Sequence, residues 1–364
     1  MRILYDHQVF SLQDRGGISR YYFELLRQIS RLDNCAAEIF LGCNNNLFRF
    51  SCLPKIKVHE SRGSLVVEPG KYRYLLNEAI SSLVLPFCGH FDVYHPTLYR
   101  CTPLVHSTKV VVTHHDCAYE RYPALFKNVE SVKEMRARQF ARADAIICPS
   151  ESTRRDLHEF YQVSEDKTCV VFHGIPRPVQ SDDSEHTRIG ARPFLLYVGS
   201  RAPYKNFDGL LRAFAAADLK REFDLLVLGG GLATNAEMAA IGQLSLGDAV
   251  RFVPQAPDDL LARAYGQAHL LVYPSLYEGF GFPPLEAMSI GCPVLVARTS
   301  SLPEICADAA FYFTAEDQAS FVEELKESCF NEAARRQKIE KGRILVSSYS
   351  WEECAAKTLE VYSR

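Results

Sequence analysis

Residues 270–297 read LLVYPSLYEGFGFPPLEAMSIGCPVLVA. Apolar runs at Leu270–Tyr273 and Val294–Ala297 are typical of buried parallel strands. Between them a glycine-rich loop leads to a helix that we expect to begin near Pro283, because proline suits the first turn of a helix. A strand, a loop, a helix and a second strand form a βαβ unit, which predicts a parallel sheet.

The same alternation of apolar runs and helical patterns extends over the whole chain. The runs predict strands at residues 2–5, 37–41, 93–95, 109–113, 145–148, 169–172, 194–198, 224–228, 250–253, 270–273, 294–297 and 310–313. Repeated βαβ units build doubly wound sheets, which bind ligands beyond the carboxyl ends of their strands. We therefore predict an α/β protein with two Rossmann-like domains whose parallel sheets face each other across a cleft.

The domain boundary is marked by prolines and polar residues. A length of 364 residues suggests two domains. Pro176 and Pro178 precede a polar stretch that ends at Arg188, which is typical of a linker. The predicted organisation is a first domain over residues 1–175, a linker over 176–192 and a second domain over 193–349. A helix at residues 350–364 is expected to pack back on the first domain.

Composition excludes several classes of protein. A net charge of −3 gives no indication of a nucleic-acid partner, and no apolar stretch is long enough to span a bilayer. The 12 cysteines include no C-x-x-C pair, so we expect reduced thiols and no zinc site. An apolar strand opens the sequence without a secretory signal, and we therefore expect a cytoplasmic protein.

The loop after residue 273 carries the strongest functional signal. Glu278 precedes the segment Gly279, Phe280, Gly281 and Phe282, and Glu286 follows in the predicted helix. Glycines let a ligand approach the backbone, and the start of a helix attracts an anion. Two carboxylates in this arrangement can accept hydrogen bonds from hydroxyl groups at two ends of one ligand. A helix with a favourable acidic first turn is the structural alternative.

This segment resembles the E-x7-E motif of the retaining glycosyltransferase family four, which has the two-domain GT-B fold. The resemblance covers essentially the whole chain and includes residues 289–294 and 301–304. It implies that the first domain lies on the acceptor side and that the second binds a nucleotide sugar. It also implies that Glu286 holds the donor ribose, that Glu278 contacts the transferred sugar, and that residues 279–282 contact the donor.

Two further loops are predicted to contact the donor. Gly199, Arg201 and Lys205 follow the strand at residues 194–198, and an arginine with a lysine suits a diphosphate. Family resemblance implies that this pair grips the diphosphate, whereas two solvated loop cations are the alternative. Gly16 and Gly17 form a turn before a helix, and the resemblance implies that this turn covers the donor phosphate. A tight turn without a ligand is the alternative there.

Histidines follow three predicted strands of the first domain. His115 and Asp116 match a His-Asp pair of the family, which implies that His115 acts in catalysis together with Glu278, Lys205 and Arg201. Asp116, His95 and His173 are candidates for the acceptor side. Each histidine has the alternative of a packed core residue whose hydrogen bonds are satisfied.

The absence of a D-x-D triplet predicts catalysis without a bound metal. The family's usual mechanism, adopted as a hypothesis, retains the configuration of the sugar by reacting on one of its faces, and the leaving phosphate helps to deprotonate the acceptor. Residues 17–21 and 197–201 are similar to those of members that build bacterial polysaccharides. We therefore expect transfer of a hexose, preferably mannose from GDP-mannose, to a growing polysaccharide or a lipid-linked glycan.

Several alternatives remain open from the sequence. They are a UDP-sugar-dependent transferase, another GT-B enzyme such as a phosphorylase or a nucleotide-sugar epimerase, and a non-catalytic nucleotide-sugar-binding subunit. Residues 63–89 hold an apolar helical pattern together with Lys71 and Arg73, which is compatible with weak peripheral contact with the inner face of the cytoplasmic membrane. A helix that packs on its own sheet explains the same pattern.

Overall fold

The structure is a computed structural model that describes residues 1–14, 16–44, 47–60, 70–99, 105–175 and 188–364. The chain forms two compact units. The first consists of Met1–Gly174 together with Ser350–Arg364, and the second of Ile175–Tyr349. Most of the predicted linker, like Arg15 and the first part of the predicted membrane segment, lies outside the described residues.

The first unit contains a seven-stranded parallel sheet in the order β3-β2-β1-β4-β5-β6-β7. Its elements are β1 (Arg2–Tyr5), α1 (Gln8–Leu12), α2 (Gly17–Ile29), β2 (Ala36–Gly42), β3 (Ile56–Glu60), α3 (Gly70–Val84), β4 (His90–His95), β5 (His106–Thr113), α4 (Ala118–Arg121), α5 (Val129–Arg142), β6 (Ala145–Cys148), α6 (Glu151–Phe160) and β7 (Thr168–Val170). The central strands are apolar and buried, as expected for a sheet covered by helices on both faces.

The second unit contains a six-stranded parallel sheet in the order β10-β9-β8-β11-β12-β13. Its elements are β8 (Phe194–Val198), α7 (Phe207–Ala216), β9 (Asp224–Leu228), α8 (Asn235–Gln243), β10 (Val250–Val253), α9 (Asp258–Gln267), β11 (Leu270–Tyr273), α10 (Phe282–Ile290), β12 (Val294–Ala297), α11 (Leu302–Cys306), β13 (Phe311–Phe313), α12 (Gln318–Phe330) and α13 (Glu332–Leu345). The predicted fold class, an α/β protein with two Rossmann-like parallel-sheet domains, is confirmed.

Strand β3 is the one strand of the described residues that the sequence did not predict. It pairs with β2 in parallel at the edge of the sheet, with Ile56 opposite Ala37. Lys57 and His59 alternate with its apolar residues, and no position of the strand is fully buried. An edge strand covered on one face shows a weaker apolar run than a central strand does.

The last helix, α14 (Trp351–Ser363), belongs to the first unit although the second unit separates it in sequence. Trp351 and Tyr362 are buried, and α14 packs on α2. The Tyr362 hydroxyl lies 2.7 Å from the Tyr5 hydroxyl and 2.5 Å from Nδ1 of His95. The helix therefore completes the core of the first unit.

Each sheet has one point where the strand order reverses direction. In the second unit this point lies between β8 and β11, and in the first unit between β1 and β4. Loops that leave two neighbouring strands in opposite directions open a crevice there, which is the usual ligand site of such sheets. Two of the three predicted donor loops follow β8 and β11, so these two flank the crevice of the second unit.

Candidate functional site

The loop between β11 and α10 is shaped by a glycine that no other residue can replace without strain. Gly281 has φ +107° at the N-terminus of α10, and a Cβ atom there would lie 3.0 Å from Cδ2 of Leu302. Pro283 and Pro284 occupy the first turn of α10, where a missing N–H is tolerated. Helix α10 begins at Phe282, one residue before the predicted start.

Two serines after β12 fix the backbone of this loop. The amide of Glu278 donates to Oγ of Ser300 at 2.9 Å. The buried hydroxyl of Ser301 lies 2.8 Å from the carbonyl oxygen of Glu278 and 2.9 Å from that of Phe280. The sequence placed residues 301–304 in the family pattern without indicating a role, and the structure shows that Ser301 supports the loop.

Glu278 and Lys205 form an ion pair across the crevice between β8 and β11. Nζ of Lys205 lies 2.6 Å from Oε1 of Glu278, and their side chains are 16% and 12% exposed. The amide of Leu276 also donates to the carbonyl oxygen of Tyr204 at 2.8 Å, which joins the two loops through the backbone. The structure therefore brings together a cation and a carboxylate from two loops that were each predicted to contact the donor.

Tyr273 is a further neighbour of Glu278 that the sequence did not single out. It is the last residue of β11, and its hydroxyl forms a hydrogen bond with Glu278. Burial, reinforced by the negative charge of Glu278, raises the pKa of Tyr273 well above its usual value. The phenol therefore stays protonated and donates to the carboxylate, which fixes its orientation.

Glu286 lies one turn into α10, counted from Phe282, and is largely buried. The hydroxyl of Tyr265 on α9 donates to its Oε2 at 2.9 Å. A carboxylate positioned in this way can accept hydrogen bonds from a ligand with its remaining lone pairs. Its predicted contact with the donor ribose stays a prediction, and Tyr265 is a positioning partner that the sequence did not indicate.

Gly199 and Arg201 lie in the loop that follows β8, as predicted. Gly199 has φ +132°, and among the described residues other than its chain neighbours no atom lies within 4 Å of the position of a Cβ atom there. Arg201 has a side chain that is only 4% exposed, and its guanidinium binds Glu237 and backbone carbonyls of the same unit. The guanidinium of Arg201 is therefore occupied by acceptors of the protein and does not point into open space where a diphosphate could approach.

In the first unit, Gly16 and Gly17 begin α2 as expected. A Cβ atom at Gly16 would lie 2.4 Å from Oε1 of Gln13, so the turn packs closely on its own side chains.

Arg73 on α3 is bound to the protein itself. Its Nη2 donates to Asp14 at 2.8 Å, and its Nε donates to the carbonyl oxygen of Ser11. The side chain of Arg73 is 2% exposed. The expectation that Arg73 is available to a membrane is therefore wrong.

His115 and Asp116 follow β5, and a buried arginine holds the backbone of Asp116. Nη1 of Arg136 donates to the carbonyl oxygen of Asp116 at 3.0 Å and to Glu120 at 2.7 Å. Burial lowers the pKa of His115 to about 4, so the ring is neutral at pH 7. Within the described residues, its Nε2 is buried without a hydrogen-bond partner. Nε2 of a neutral imidazole can either donate or accept one hydrogen bond, depending on the tautomer.

The other two histidines of the predicted acceptor side are core residues in the structure. His95 is fully buried, and its ring nitrogens contact Tyr362 and Thr113. Burial lowers the pKa of His95 to about 3. His173 is also buried, and its ring stacks on Trp351 with 6.3 Å between the ring centroids. Both side chains support the packing of α14, a role that the sequence did not indicate.

Solved structures share this architecture over the full chain. Sucrose-phosphate synthase from Thermosynechococcus elongatus is 18% identical with a TM-score of 0.79, and the match covers 100% of this chain and 98% of that one. HepE from Anabaena, solved in complex with UDP and glucose, is 16% identical with a TM-score of 0.75, covering 100% and 99%. The fold is that of the GT-B class of glycosyltransferases.

Family models identify the group within that class. The model for Glycosyltransferase Family 4 matches residues 15–177, and the model for Glycosyl transferases group 1 matches residues 179–345. Together the two matches span most of the chain. The protein therefore belongs to glycosyltransferase family four and is a glycosyltransferase.

Curated relatives differ in the activities that their names state. O-antigen chain mannosyltransferase B from Escherichia coli is 31% identical over 46% of this chain and 45% of its own length. D-inositol 3-phosphate glycosyltransferase from Streptomyces avermitilis is 26% identical over 96% of this chain and 83% of its own length. The chain thus spans less than half of the mannosyltransferase that it matches and most of the inositol phosphate enzyme.

Proposed function

We propose that this glycosyltransferase is a retaining enzyme that moves a hexose from a nucleotide diphosphate donor to a growing polysaccharide or a lipid-linked glycan. The observation that carries this proposal is the ion pair between Lys205 and Glu278 in the crevice between β8 and β11. It combines a cation for the leaving group with a carboxylate for the sugar, at the place where such sheets bind ligands.

The donor would replace the contact between these two side chains. Lys205 would turn from Glu278 to the diphosphate and stabilise the charge that develops there as the sugar leaves. The positive end of the α10 helix dipole attracts the same anion. Glu278, still held by Tyr273, would then accept hydrogen bonds from the hydroxyls of the transferred sugar, and Glu286 would bind the ribose.

Retention fits a reaction on one face of the sugar. The bond between the anomeric carbon and the phosphate oxygen breaks, and the same face forms a bond with the acceptor oxygen. The acceptor proton passes to the leaving phosphate. His115, neutral at pH 7, would hydrogen-bond a sugar hydroxyl. Lys205 and the start of α10 supply the positive charge that a metal provides elsewhere, so we propose a metal-independent reaction.

GDP-mannose is the preferred donor, and a UDP-sugar is the competing one. The match to an O-antigen mannosyltransferase supports mannose, whereas the structural neighbour HepE was solved with UDP and glucose. A panel of GDP- and UDP-sugars, read out by thermal shift and by release of the nucleoside diphosphate, separates the two. Product formation in excess EDTA tests the independence from metal, and the anomeric configuration of the product tests retention.

We also propose that the enzyme works at the inner face of the cytoplasmic membrane through the outer side of α3. Leu75, Leu83 and Phe87 are 61%, 73% and 87% exposed along this side and the turn that follows it. Of the two cations in the predicted segment, Lys71 is exposed and Arg73 is buried. Attachment would therefore depend on apolar contact more than on charge. No helix within the described residues is long and apolar enough to cross a bilayer.

Flotation with neutral and anionic liposomes at low and high salt tests this contact. We expect weak flotation that Leu75→Ser combined with Leu83→Ser and Phe87→Ser abolishes. Ile344→Ser, which changes an exposed apolar residue of the second unit, is the matched control and should float as the unmodified protein does. Failure to float under all four conditions would contradict the contact and favour a soluble acceptor.

A further inference from the structure

Arg201 joins two loops at the carboxyl edge of the second sheet. Nη1 of its guanidinium donates to the carbonyl oxygen of Gly229 at 2.8 Å. Nη2 lies 2.7 Å from the carbonyl oxygen of Leu232 and 3.2 Å from that of Gly231. These acceptors belong to the loop after β9, whereas Arg201 follows β8. The guanidinium therefore spans two neighbouring strand ends.

Glu237 holds the guanidinium from the other side. Nε of Arg201 donates to its Oε1 at 2.6 Å, and its Oε2 accepts from the amide of Thr234 at 2.7 Å. The Thr234 hydroxyl in turn accepts from the amide of Glu237, which completes a capping box at the start of α8. A guanidinium has five N–H groups, and four of those of Arg201 donate to protein acceptors.

The loop after β9 needs such support because of its backbone. Gly229, Gly230 and Gly231 all have positive φ, at +88°, +74° and +82°. Three successive glycines have a large conformational freedom in solution, so a fixed loop requires contacts that hold it. A Cβ atom at Gly230 would lie 2.6 Å from Nη1 of Arg201, which shows how closely the guanidinium packs on the loop.

The supported loop presents exposed groups beside the predicted donor site. Gly230 and Gly231 are exposed, and the side chain of Leu232 is 79% exposed although its carbonyl oxygen is held. The loop leaves β9, which pairs with β8, and Lys205 lies in the loop after β8. A nucleoside diphosphate bound at Lys205 would thus have the glycine loop as its neighbour.

We propose that Arg201 is a positioning residue, which with Glu237 holds the loop at residues 229–232 in the conformation that receives the nucleoside diphosphate, and that it does not itself bind the diphosphate. This inference rests on the proposed function. It reassigns a cation that the sequence grouped with Lys205 and leaves Lys205 as the one of these two residues that contacts the phosphates.

Conservative substitutions distinguish positioning from direct binding. Lysine keeps the charge of Arg201 but lacks the planar fork that reaches Glu237 and the carbonyls together. Arg201→Lys should therefore resemble Arg201→Ala. Glu237→Gln keeps the size of the side chain and removes the charge that orients the guanidinium. Arg212→Lys is the matched control, because Arg212 forms an exposed ion pair with Asp208 in the same unit.

The experiment combines amide hydrogen exchange over residues 229–234 with calorimetric binding of GDP and UDP at several salt concentrations. We expect Arg201→Lys and Glu237→Gln each to speed exchange in this loop at least tenfold and to weaken binding of the preferred nucleotide at least fivefold. The slope of affinity against salt should stay as in the unmodified protein, because the number of cations on the diphosphate is unchanged. Arg212→Lys should change neither quantity.

Three results would overturn the inference. They are affinity near normal in Arg201→Lys with a loss in Arg201→Ala, tighter nucleotide binding in Glu237→Gln, and unchanged exchange in both conservative variants. The first two would mean that the donor uses the charge of Arg201 directly. If the unmodified protein binds neither nucleotide, the proposed function fails, and the exchange data still show whether Arg201 holds the loop.

Discussion

Replacing Lys205 by methionine should lower both activity and stability, for separable reasons. The substitution leaves an unbranched apolar side chain one atom shorter than that of lysine and removes the charge 2.6 Å from Glu278. Transition-state stabilisation of the leaving diphosphate is then lost, and we expect kcat/KM to fall at least tenfold, which corresponds to about 1.4 kcal/mol.

The stability cost follows from the exposure of the pair. Exposed ion pairs contribute at most about 1 kcal/mol, whereas breaking a buried pair costs roughly 3–5 kcal/mol. The side chains of Lys205 and Glu278 are 16% and 12% exposed, which places the pair between these limits. A loss of about 2 kcal/mol would lower Tm by roughly 4–8 °C in a unit of this size. Arg212→Met, in an exposed pair, should change Tm far less.

A charge swap separates the two effects. Lys205→Glu combined with Glu278→Lys rebuilds an ion pair in the opposite direction, so thermal unfolding should recover much of the lost Tm. Activity should not recover, because the diphosphate would face a carboxylate. The assays are thermal unfolding and the initial rate of nucleoside diphosphate release. Near-normal kcat/KM in Lys205→Met, or restored activity in the swap, would refute the role of Lys205 in donor binding.

Three more predictions concern other parts of the molecule. Glu286→Ala should weaken binding of the bare nucleoside diphosphate, whereas Glu278→Ala should leave that affinity nearly unchanged and lower turnover. Equal losses in calorimetry would contradict the assignment. Arg136→Met should cost about 3–5 kcal/mol of unfolding free energy, because it leaves Glu120 charged and buried, and adding Glu120→Gln should restore part of it in chemical denaturation. The free energy of unfolding should decrease as the pH drops below about 6.5, because histidines become protonated in the unfolded chain while the buried histidines of the folded chain stay neutral. His95→Gln should make that fall shallower by up to about 1.4 kcal/mol per pH unit, and an unchanged slope would exclude His95 as a contributor.

The strands of both sheets could be predicted because burial on two faces leaves a continuous apolar run. The structure has strands at or near all the predicted positions, and it adds β3, where Lys57 and His59 interrupt the pattern at an edge. The loop at residues 274–282 could be recognised because its residues are adjacent in sequence. Local patterns of this kind can be recognised in the sequence without knowledge of the tertiary contacts.

The partners of the site residues could not be predicted in the same way. Tyr265 reaches Glu286 from α9, and Ser300 reaches Glu278 from the loop after β12, so both contacts form only when neighbouring elements pack together. Arg201 shows a second limit, since a cation in a loop after a strand suggests an anionic ligand whichever way its side chain points. Nothing in the sequence indicates that an ion pair with Glu237 orients the guanidinium towards the protein.

The position of α14 in the first unit has a consequence for biosynthesis. The ribosome releases residues 1–174 long before Trp351 and Tyr362, and both residues are buried in the core that those early residues form. The second unit, Ile175–Tyr349, is continuous and can complete its own contacts as it emerges. The nascent first unit would expose the surface of α2 that α14 covers until α14 has emerged from the ribosome. The N-terminal half of the chain would thus be the last to reach its native state, and nascent chains stalled before residue 351 would be the natural clients of chaperones.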